Sequence, residues 1–415
     1  PRSNTLAVQM IKNKENFCIL PWIHLYAEPN GDVYPCCTAS PLPNIKPCVE
    51  SLKEHTFEEI YHSDSWNKLR KDMLEGNRPS ACTRCWKFDD TGGSSYRQYN
   101  NKEFERYYPL VEETKEDGSL DKFHFKFLNI RHSIECNFAC LTCGPEWSTG
   151  WNKYTRGPGK HTKLDDNSKI PIWDQIKPHL ETADVIYFTG GEPLMMPDHY
   201  RIVDYLIQHG LTHLELRYNT NMSNLNLQKY NIVDKWKMFN KVVIGASIDA
   251  VGERAELIRY GTKWDQLEAN LLSVRGYDNI HLGIDSVISI LNIDHIPEMQ
   301  MYLEDKGIVD IRTIMSYNIA FGPSEFSITS LPDFIKQRMA DQLLDHLEKY
   351  KGRLTHPHWG YKQIINFMFQ ENTWQHGLFK DQIDHRFKFV KKRLLEEIPI
   401  VKELYYYGLN DPEYR

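Results

Sequence analysis

Long apolar runs are absent from this sequence of 415 residues. No stretch approaches the roughly 20 apolar residues that a membrane-spanning helix requires. No apolar signal segment stands at the start, so we expect a cytoplasmic protein with no membrane partner. An excess of basic charge is absent as well, because the net charge is −6 and the isoelectric point is about 6.3. This charge balance gives no indication of binding to nucleic acid.

Cysteine is scarce and unevenly placed. The chain has 9 cysteines, an odd number, and most of them stand in groups. A disulfide framework is typical of short secreted chains, whereas grouped cysteines in a long chain favour metal or cluster binding in a reducing compartment. Internal repeats and low-complexity segments are also absent. A chain of 415 residues is long enough for two or three structural units with ample core.

The group formed by Cys136, Cys140 and Cys143 follows a short apolar run. The spacing Cys-x-x-x-Cys-x-x-Cys directs three thiolates at one small inorganic cluster, and it leaves one iron of a four-iron cubane without a protein ligand. A zinc site is the alternative, but such sites are usually closed by four ligands, and His132 is the only local imidazole that could close this one. The pattern favours an iron–sulfur cluster with an open position.

A second cysteine group lies within residues 17–86. Ile23, Leu25 and Ala27 alternate with polar positions as in a half-buried strand, and Asn30-Gly31-Asp32 indicates a turn back to a second strand. Apolar spacing then predicts two short amphipathic helices over 57–61 and 66–74. The chain thereby forms a hairpin and returns to a Cys-x-x-Cys pair.

These cysteines are expected to converge on one tetrahedral site. The expected ligands are Cys18, Cys36, Cys82 and Cys85, with Cys37 as the substitute for Cys36. Spacing alone leaves zinc and iron–sulfur open at this site. Cys48 stands in a proline-rich loop and is interpreted as a bystander.

The remaining chain predicts an α/β fold. Residues 88–122 are polar and are predicted to be a linker or a solvated surface segment. Strands are predicted over 125–130, 185–189, 214–218, 242–248, 282–290 and 311–315, and helices over 199–209, 264–275 and 297–307. Six strand–helix units with parallel strands imply a partial (β/α)6 TIM-like barrel. The predicted domains are an N-terminal cysteine-rich auxiliary cluster domain with its linker (1–120), the barrel (121–320) and a C-terminal helical extension (321–415).

Unusual residues stand at the carboxyl ends of the predicted strands, where parallel sheets place their chemistry. They are Cys136, Cys140 and Cys143; Gly190-Gly191-Glu192-Pro193; Asn219-Thr220-Asn221; and Ser247 with Asp249. Their joint placement predicts one functional edge of the sheet. The insert at 154–169 has the composition of a lid or of a surface loop.

These motifs resemble those of the radical S-adenosylmethionine (SAM) enzymes, in particular those with a twitch or SPASM-type auxiliary iron–sulfur domain. The resemblance covers about residues 17–320. It is carried by the three-cysteine signature, by Thr189-Gly-Gly-Glu-Pro193, by Ser247-Ile-Asp-Ala250 with Leu257-Ile-Arg-Tyr-Gly261, and by Cys18-x12-Gly31-x4-Cys36 with Cys82-x-x-Cys85. In two respects the chain departs from this family. The auxiliary domain precedes the barrel, and Thr142 stands where the family commonly has an aromatic residue.

The resemblance implies that SAM binds the open iron of a [4Fe-4S] cluster and that one electron cleaves it to methionine and a 5′-deoxyadenosyl radical. The implied SAM contacts are Gly190, Gly191, Glu192, Asn219, Asn221, Ser247, Asp249 and Arg259. The radical would abstract hydrogen from an unactivated C–H bond of a small molecule or peptide. An auxiliary [4Fe-4S] cluster, with zinc as the alternative, would assist electron transfer in dehydrogenation, cross-linking or epimerisation.

The resemblance also implies an external one-electron reductant such as flavodoxin or ferredoxin. No catalytic residue is assigned, although Cys37 or Cys48 could donate a hydrogen atom if the reaction is an epimerisation. Two other classes of protein remain open, a non-catalytic iron–sulfur electron-transfer protein and a zinc-stabilised binding protein. Peptide-modifying relatives often carry a precursor-binding segment, and the cysteine domain takes up the residues before the barrel. That favours a small molecule, or a peptide presented by a partner.

Overall fold

The computed structural model describes residues 10–39, 50–90, 92–131, 133–155, 172–310, 313–320, 323–352, 358–370 and 373–407. The chain divides into two compact units. Unit 1 comprises Pro1–Ser133, Lys163–Thr189 and Arg201–Leu216, and unit 2 comprises Ile134–Thr162, Gly190–Tyr200 and Arg217–Arg415. Cys48, His132 and most of the insert at 154–169 lie outside the described residues.

Helices and strands alternate along most of the chain. The helices are α1 (Leu20–Ile23), α2 (Phe57–Tyr61), α3 (Asp64–Glu75), α4 (Thr83–Asp90), α5 (Tyr96–Glu103), α6 (Asn152–Thr155), α7 (Ile172–Ile176), α8 (Pro197–Gln208), α9 (Ile232–Trp236), α10 (Gly252–Ile258), α11 (Trp264–Ser273), α12 (Ile296–Asp305), α13 (Asp333–Lys349), α14 (His358–Met368), α15 (His376–Asp381), α16 (Lys391–Glu397) and α17 (Pro399–Tyr406). The strands are β1 (His24–Ala27), β2 (Asp32–Tyr34), β3 (Glu50–Ser51), β4 (Phe127–Arg131), β5 (Val185–Thr189), β6 (Glu215–Thr220), β7 (Asn226–Leu227), β8 (Tyr230–Asn231), β9 (Lys241–Ser247), β10 (Ile280–Ile288) and β11 (Met315–Ile319). None of the helices in the described ranges is long and apolar enough to cross a membrane.

In unit 1 the strands lie in the order β5-β4-β1-β2-β3. β1 pairs antiparallel with β2 through the predicted turn, where Gly31 has a φ of 94° that favours glycine. β1 also pairs parallel with β4 on its other side. All four residues of β1 are buried as a result, so the prediction of a half-buried strand is wrong.

The two short helices of unit 1 are confirmed. α2 begins after Thr56, whose side chain accepts a hydrogen bond from the Glu59 N–H, while the Glu59 side chain accepts one from the Thr56 N–H. α3 begins after Ser63 and ends at Gly76, which has a φ of 79°. Both helices begin and end where the sequence provides the caps.

The prediction of a linker or a solvated surface segment over 88–122 is wrong for residues 96–113. This segment contains α5 and a 3-10 helix over Glu105–Glu113. Phe104 and Val111 are fully buried, and Arg97 and Asn100 are nearly so. Polar composition misled the sequence analysis, because several of these polar side chains hydrogen-bond inside the fold.

In unit 2 the strands lie in the order β11-β10-β9-β6, with residues 217–220 of β6 in this unit. β10 pairs parallel with both β9 and β11. Together with the helices between the strands, this arrangement confirms the α/β fold class. The last strand is Met315–Ile319 rather than 311–315, because Met315 pairs with Ile284 while Ile314 is 61% exposed.

The C-terminal extension is helical, as predicted. The two predicted apolar stripes are buried, and they comprise Ile335, Met339, Leu343 and Leu347, and Phe387, Val390, Leu394 and Ile398. These stripes pack the extension into unit 2.

Candidate functional site

The loop that carries Cys136, Cys140 and Cys143 lies in unit 2 and brings the three thiols close enough to interact electrostatically. All three are partly exposed. Desolvation raises the pKa of Cys136 to about 11, and the neighbouring Cys143 adds to the rise. Desolvation likewise raises the pKa of Cys140, with further contributions from Cys136 and Cys143. Thiolates at these positions therefore need a cationic partner.

Backbone hydrogen bonds hold the loop in its conformation. The Ala139 N–H donates to the Tyr260 carbonyl and the Leu141 N–H to the Ile258 carbonyl, both at 2.8 Å. The Trp151 indole N–H donates to the Cys140 carbonyl at 3.2 Å. These contacts fix the backbone of the cysteine loop without using the thiols.

Two further contacts come from segments that the sequence analysis did not connect with the loop. The Ser148 hydroxyl donates to the Phe138 carbonyl at 2.6 Å, and a Cβ on Gly150 would overlap that same carbonyl. In the C-terminal extension, Arg386 donates to the Cys143 carbonyl at 2.6 Å and its guanidinium lies 5.3 Å from the ring centre of Trp151. No short motif marks any of these residues.

Arg259 and Asp249 form a buried ion pair beside the cysteine loop. Arg259 Nε lies 2.9 Å from Asp249 Oδ2, and their side chains are 13% and 0% exposed. The Val287 N–H donates to Asp249 Oδ1 at 2.8 Å, while Arg259 Nη1 lies 3.9 Å from the Cys140 sulfur. Asp249 therefore orients Arg259 toward the thiols, and a direct contact of Asp249 with SAM stays a prediction.

The Gly-Gly-Glu-Pro turn is held by its glutamate. Both carboxylate oxygens of Glu192 accept hydrogen bonds inside the protein, from Thr220 Oγ1 at 2.6 Å, from the Asn221 N–H at 2.7 Å and from the Leu194 N–H at 3.1 Å. Desolvation raises the pKa of Glu192, and these hydrogen bonds oppose the rise. Glu192 is 2% exposed. Its carboxylate thus holds the turn, and the expected contact of Glu192 with SAM stays a prediction.

The glycines of this turn have separate requirements. Gly190 has a φ of 129°, which L side chains rarely adopt. A Cβ on Gly191 would overlap the Glu135 carbonyl, and the Glu192 N–H donates to that carbonyl at 2.7 Å. Both glycines are partly exposed, so their backbone remains accessible to a ligand.

The other predicted contact residues fall into two sets. Asn221 donates from Nδ2 to Asn137 Oδ1 at 2.9 Å and so lies with the cysteine loop and Glu192. Asn219 is exposed on the opposite face of β6 and lies near Gly245 and Asp285. Ser247 is partly exposed at the end of β9.

The residues of the cysteine loop fit an iron–sulfur cluster. Thiolates are the ligands of such clusters. The Phe138 N–H lies 3.4 Å from the Cys136 sulfur in a geometry that donates to it, and Arg259 is the nearby cation at Cys140. Within the described ranges, no three His, Cys, Asp or Glu side chains are arranged to hold a metal ion. A cluster is larger than one ion and takes ligands that lie further apart.

In unit 1, Cys18, Cys36 and Cys85 converge. Cys18 interacts electrostatically with both other thiols, and desolvation is the main cause that raises its pKa. The Thr38 hydroxyl lies 3.2 Å from the Cys36 sulfur and 3.9 Å from the Cys85 sulfur. Cys82 ends a 3-10 helix and is partly exposed, and Cys85 follows three residues later in the first turn of α4. This set also fits cluster ligation.

Cys37 has different neighbours. Its thiol interacts with the Tyr96 hydroxyl, and the residue is exposed to solvent. The geometry thus favours Cys36 over Cys37 as the ligand. A role of Cys37 as hydrogen donor stays a prediction, and Cys48 lies outside the described residues.

Arg97 lies in the segment predicted as a linker, and its contacts hold the backbone next to Cys18 in place. It donates from Nη1 to the Phe17 carbonyl at 2.8 Å and forms an ion pair with Asp89 at 2.7 Å. Its guanidinium lies 5.1 Å from the ring centre of Trp86. An arginine in a polar stretch gave no sequence signal for this role.

Residues 130–300 match the family model described as the radical SAM superfamily, and residues 18–86 match the model described as the SPASM iron-sulfur cluster-binding domain. Each match coincides with one of the two cysteine groups, the first with Cys136, Cys140 and Cys143 and the second with Cys18, Cys36, Cys82 and Cys85. The chain carries a radical SAM domain preceded by a SPASM domain, so the resemblance and its unusual domain order are confirmed. Its cofactors are a [4Fe-4S] cluster, SAM and auxiliary iron–sulfur, which decides against zinc at the auxiliary site.

No match is found among curated proteins. Among solved structures, native anSMEcpe with bound AdoMet is 15% identical with a TM-score of 0.39, and the match covers 62% of this chain and 66% of that chain. Streptococcus suis SuiB bound to S-adenosylmethionine is 12% identical with a TM-score of 0.37, covering 65% of this chain and 60% of that chain. The chain thus spans less than two thirds of the length of both.

Proposed function

We propose that this chain is a radical SAM enzyme that abstracts hydrogen from an unactivated C–H bond of a small molecule or peptide, with the auxiliary cluster assisting electron transfer. The observation that carries the proposal is the convergence of three thiols on one backbone-fixed loop beside the buried Arg259–Asp249 pair. This loop supplies three ligands to a cluster that takes four. The vacancy is where SAM would bind.

When bound, the cluster and SAM supply the radical chemistry, by one-electron cleavage of SAM to the 5′-deoxyadenosyl radical. The chain's own residues hold and orient the cluster and SAM. Arg259 keeps a positive charge beside the thiolates and can bind a carboxylate with its remaining N–H groups. The backbone carbonyls of Gly190 and Gly191, which are partly exposed residues, can accept hydrogen bonds from an ammonium group, while Glu192 holds their turn in place.

The auxiliary site is proposed to transfer electrons. If Cys18, Cys36, Cys82 and Cys85 all bind the cluster, none of its irons remains open for direct binding of a substrate. A closed cluster is suited to accepting or relaying an electron in a dehydrogenation or a cross-linking reaction. We propose an external one-electron reductant such as flavodoxin or ferredoxin for the cluster at Cys136, Cys140 and Cys143.

The test is reductive cleavage of SAM by the full chain, reconstituted with iron and sulfide under anaerobic conditions. The protein should hold about eight irons and release 5′-deoxyadenosine and methionine when dithionite is added. The variant Asp278→Asn serves as a control that should behave like the unchanged chain, because Asp278 is exposed in the loop before β10. An iron-loaded protein that cycles electrons without releasing 5′-deoxyadenosine would instead be a non-catalytic electron-transfer protein.

The reaction type is tested next. Incubation with candidate small molecules and peptides, SAM and a reductant should consume the substrate and change its mass. A product that has lost two hydrogens indicates dehydrogenation or cross-linking. A product of unchanged composition that has taken up one deuterium from the solvent indicates epimerisation. If 5′-deoxyadenosine forms and carries no hydrogen from any isotope-labelled substrate that is consumed, the proposal of hydrogen abstraction is wrong.

A further inference from the structure

A short segment of the C-terminal extension, residues 386–389, contacts the cysteine loop of unit 2. Arg386 donates from Nη2 to the Cys143 carbonyl at 2.6 Å. Its guanidinium lies 5.3 Å from the ring centre of Trp151, whose indole N–H donates to the Cys140 carbonyl at 3.2 Å. The segment therefore reaches the backbone of two of the three cysteines, directly at Cys143 and through Trp151 at Cys140.

Aromatic rings of the same segment pack around this contact. Trp151 is fully buried, and the ring centres of Phe387 and Phe389 lie 6.0 Å and 5.8 Å from its own. Phe389 also lies 5.2 Å from the ring centre of Tyr260, and the Tyr260 carbonyl accepts a hydrogen bond from the Ala139 N–H of the loop. Aromatic pairs at such distances attract each other in defined orientations. The segment is thus held at a fixed position against the loop.

The turn that carries Arg386 is wider than an α-helical turn. Residues Gln382–Arg386 form a π-helix directly after α15, and the Phe387 N–H donates to the Gln382 carbonyl, five residues earlier, at 2.9 Å. Turns of this kind accommodate one extra residue and are frequent at functional sites. The extra residue displaces Arg386 from the direction that a regular helix would give it. Arg386 therefore reaches Cys143 from a backbone conformation that is uncommon in helices.

The positive charge of Arg386 is not paired with a carboxylate. Within the described ranges its contacts are the Cys143 carbonyl and two aromatic rings, and none is with an acidic side chain. The other cation at the loop, Arg259, forms an ion pair with the Asp249 carboxylate. Arg386 thus adds a net positive charge beside the loop, whereas the pair of Arg259 and Asp249 adds none.

We propose that Arg386 is a positioning residue for the cluster at Cys136, Cys140 and Cys143. Its hydrogen bond fixes the backbone at Cys143, and its charge favours the reduced state of the cluster. An iron–sulfur cluster becomes more negative on reduction, so a nearby positive charge raises its reduction potential. The inference goes beyond the proposed function, because it assigns a role to the C-terminal extension and requires only the cluster itself.

Redox titration of the full, cluster-loaded chain, followed by electron paramagnetic resonance, tests the role of the charge. Arg386 is partly exposed, and Arg386→Met keeps a side chain of similar length without the charge. At a fixed applied potential this variant should lower the ratio of reduced to oxidised cluster about fivefold, which corresponds to about 40 mV for one electron. Arg386→Lys keeps the charge and should change the ratio by less than about twofold. Lys388→Met is the matched control, because it removes a charge from an exposed residue of the same segment.

Hydrogen–deuterium exchange of the same cluster-loaded chain tests the role of the hydrogen bond. The Leu141 N–H donates to the Ile258 carbonyl at 2.8 Å and the Cys143 N–H to the Cys140 carbonyl at 3.0 Å. Arg386→Met should speed the exchange of these two amides about threefold, because the loop opens more often without its contact at Cys143. The amides of α13 serve as the internal reference.

An unchanged ratio in Arg386→Met would overturn the proposal, and so would an Arg386→Lys variant with a ratio as low as that of Arg386→Met. A control variant Lys388→Met that lowers the ratio equally would also overturn it, because any cation of the segment would then suffice. If Arg386→Met does not fold, as judged by thermal unfolding, Arg386→Gln takes its place with the same expected loss. Neither measurement uses SAM or a substrate, so the outcome is independent of the proposed function.

Discussion

The two cysteine groups of this protein are built in opposite ways. Cys136, Cys140 and Cys143 lie on one loop of unit 2, whose backbone is fixed by hydrogen bonds to its immediate surroundings. The group in unit 1 comes from three separate segments, carrying Cys18, Cys36 and the Cys82–Cys85 pair. One site depends on the conformation of a loop, whereas the other depends on the whole surrounding fold.

This difference in construction matches the difference between the roles proposed for the two sites. A loop with three ligands leaves one position of a four-iron cluster open for a bound molecule. Ligands gathered from distant segments enclose a cluster and hold it closed. The comparison teaches that the site for chemistry is local, while the site proposed for electron transfer is dispersed.

The largest expected effect comes from breaking the local site. Cys140→Ser should lower SAM cleavage with dithionite by at least about a thousandfold, because the open cluster loses a ligand. Iron content should fall from about eight to about four per chain, while the auxiliary cluster persists. Iron analysis and quantified 5′-deoxyadenosine measure the two effects. Retained cleavage at half the iron content would mean that the wrong cysteines are assigned.

The next effect concerns the ion pair of unit 2. Arg259→Gln should lower the free energy of unfolding by about 3 kcal/mol, because it leaves the buried Asp249 carboxylate without its partner. Urea unfolding followed by tryptophan fluorescence measures the change. The double variant Asp249→Asn with Arg259→Gln should recover part of the loss, since no buried charge remains. A double variant less stable than the single one would contradict this explanation.

A smaller effect on SAM cleavage is expected from breaking the dispersed site. Cys85→Ser should remove about four irons, yet dithionite-driven SAM cleavage should stay within about tenfold, because the three thiols of unit 2 are unchanged. Substrate turnover should fall further than SAM cleavage. If cleavage of SAM is abolished as fully as in Cys140→Ser, the two sites do not have separate roles.

Much of the site around Cys136, Cys140 and Cys143 could be predicted from the sequence, because it is built from short contiguous motifs. The cysteine spacing and the Gly-Gly-Glu-Pro turn stand in short contiguous motifs, and the caps of α2 and α3 also follow from nearby residues. The register of β11 did not follow, because Met315 is selected by its pairing with Ile284 on another strand. The same holds for Arg97 and Arg386, which act on segments far away in the chain.

The side chains of Glu192 and Arg386 show a second limit of sequence. Glu192 is in a recognisable motif, yet its carboxylate is used by Thr220 and Asn221 inside the protein. Arg386 has no motif and was not singled out, yet it ends a π-helical turn and donates to the Cys143 carbonyl. Which side chain reaches the cysteine loop depends on local helix geometry and on packing between distant segments, and neither is encoded in a short pattern.

The smallest expected effect is a shift in the reduction potential of the auxiliary cluster, caused by a variant that removes no cluster ligand. Thr38 lies 3.2 Å from the Cys36 sulfur and 3.9 Å from the Cys85 sulfur, so its hydroxyl can donate to thiolates of the auxiliary cluster. Such hydrogen bonds stabilise the more negative, reduced state of a cluster. Thr38→Val should therefore lower the auxiliary reduction potential by about 20–40 mV, the equivalent of a bond of about 0.5–1 kcal/mol for one electron.

Redox titration followed by electron paramagnetic resonance measures the shift for each cluster separately. The signal from the cluster at Cys136, Cys140 and Cys143 should keep its potential, because Thr38 belongs to unit 1 and the loop belongs to unit 2. Thr142→Val is the matched control, since it places the same change beside Cys143 in the local site. A shift in the wrong cluster, or none in either, would show that the hydroxyl does not donate to the auxiliary thiolates.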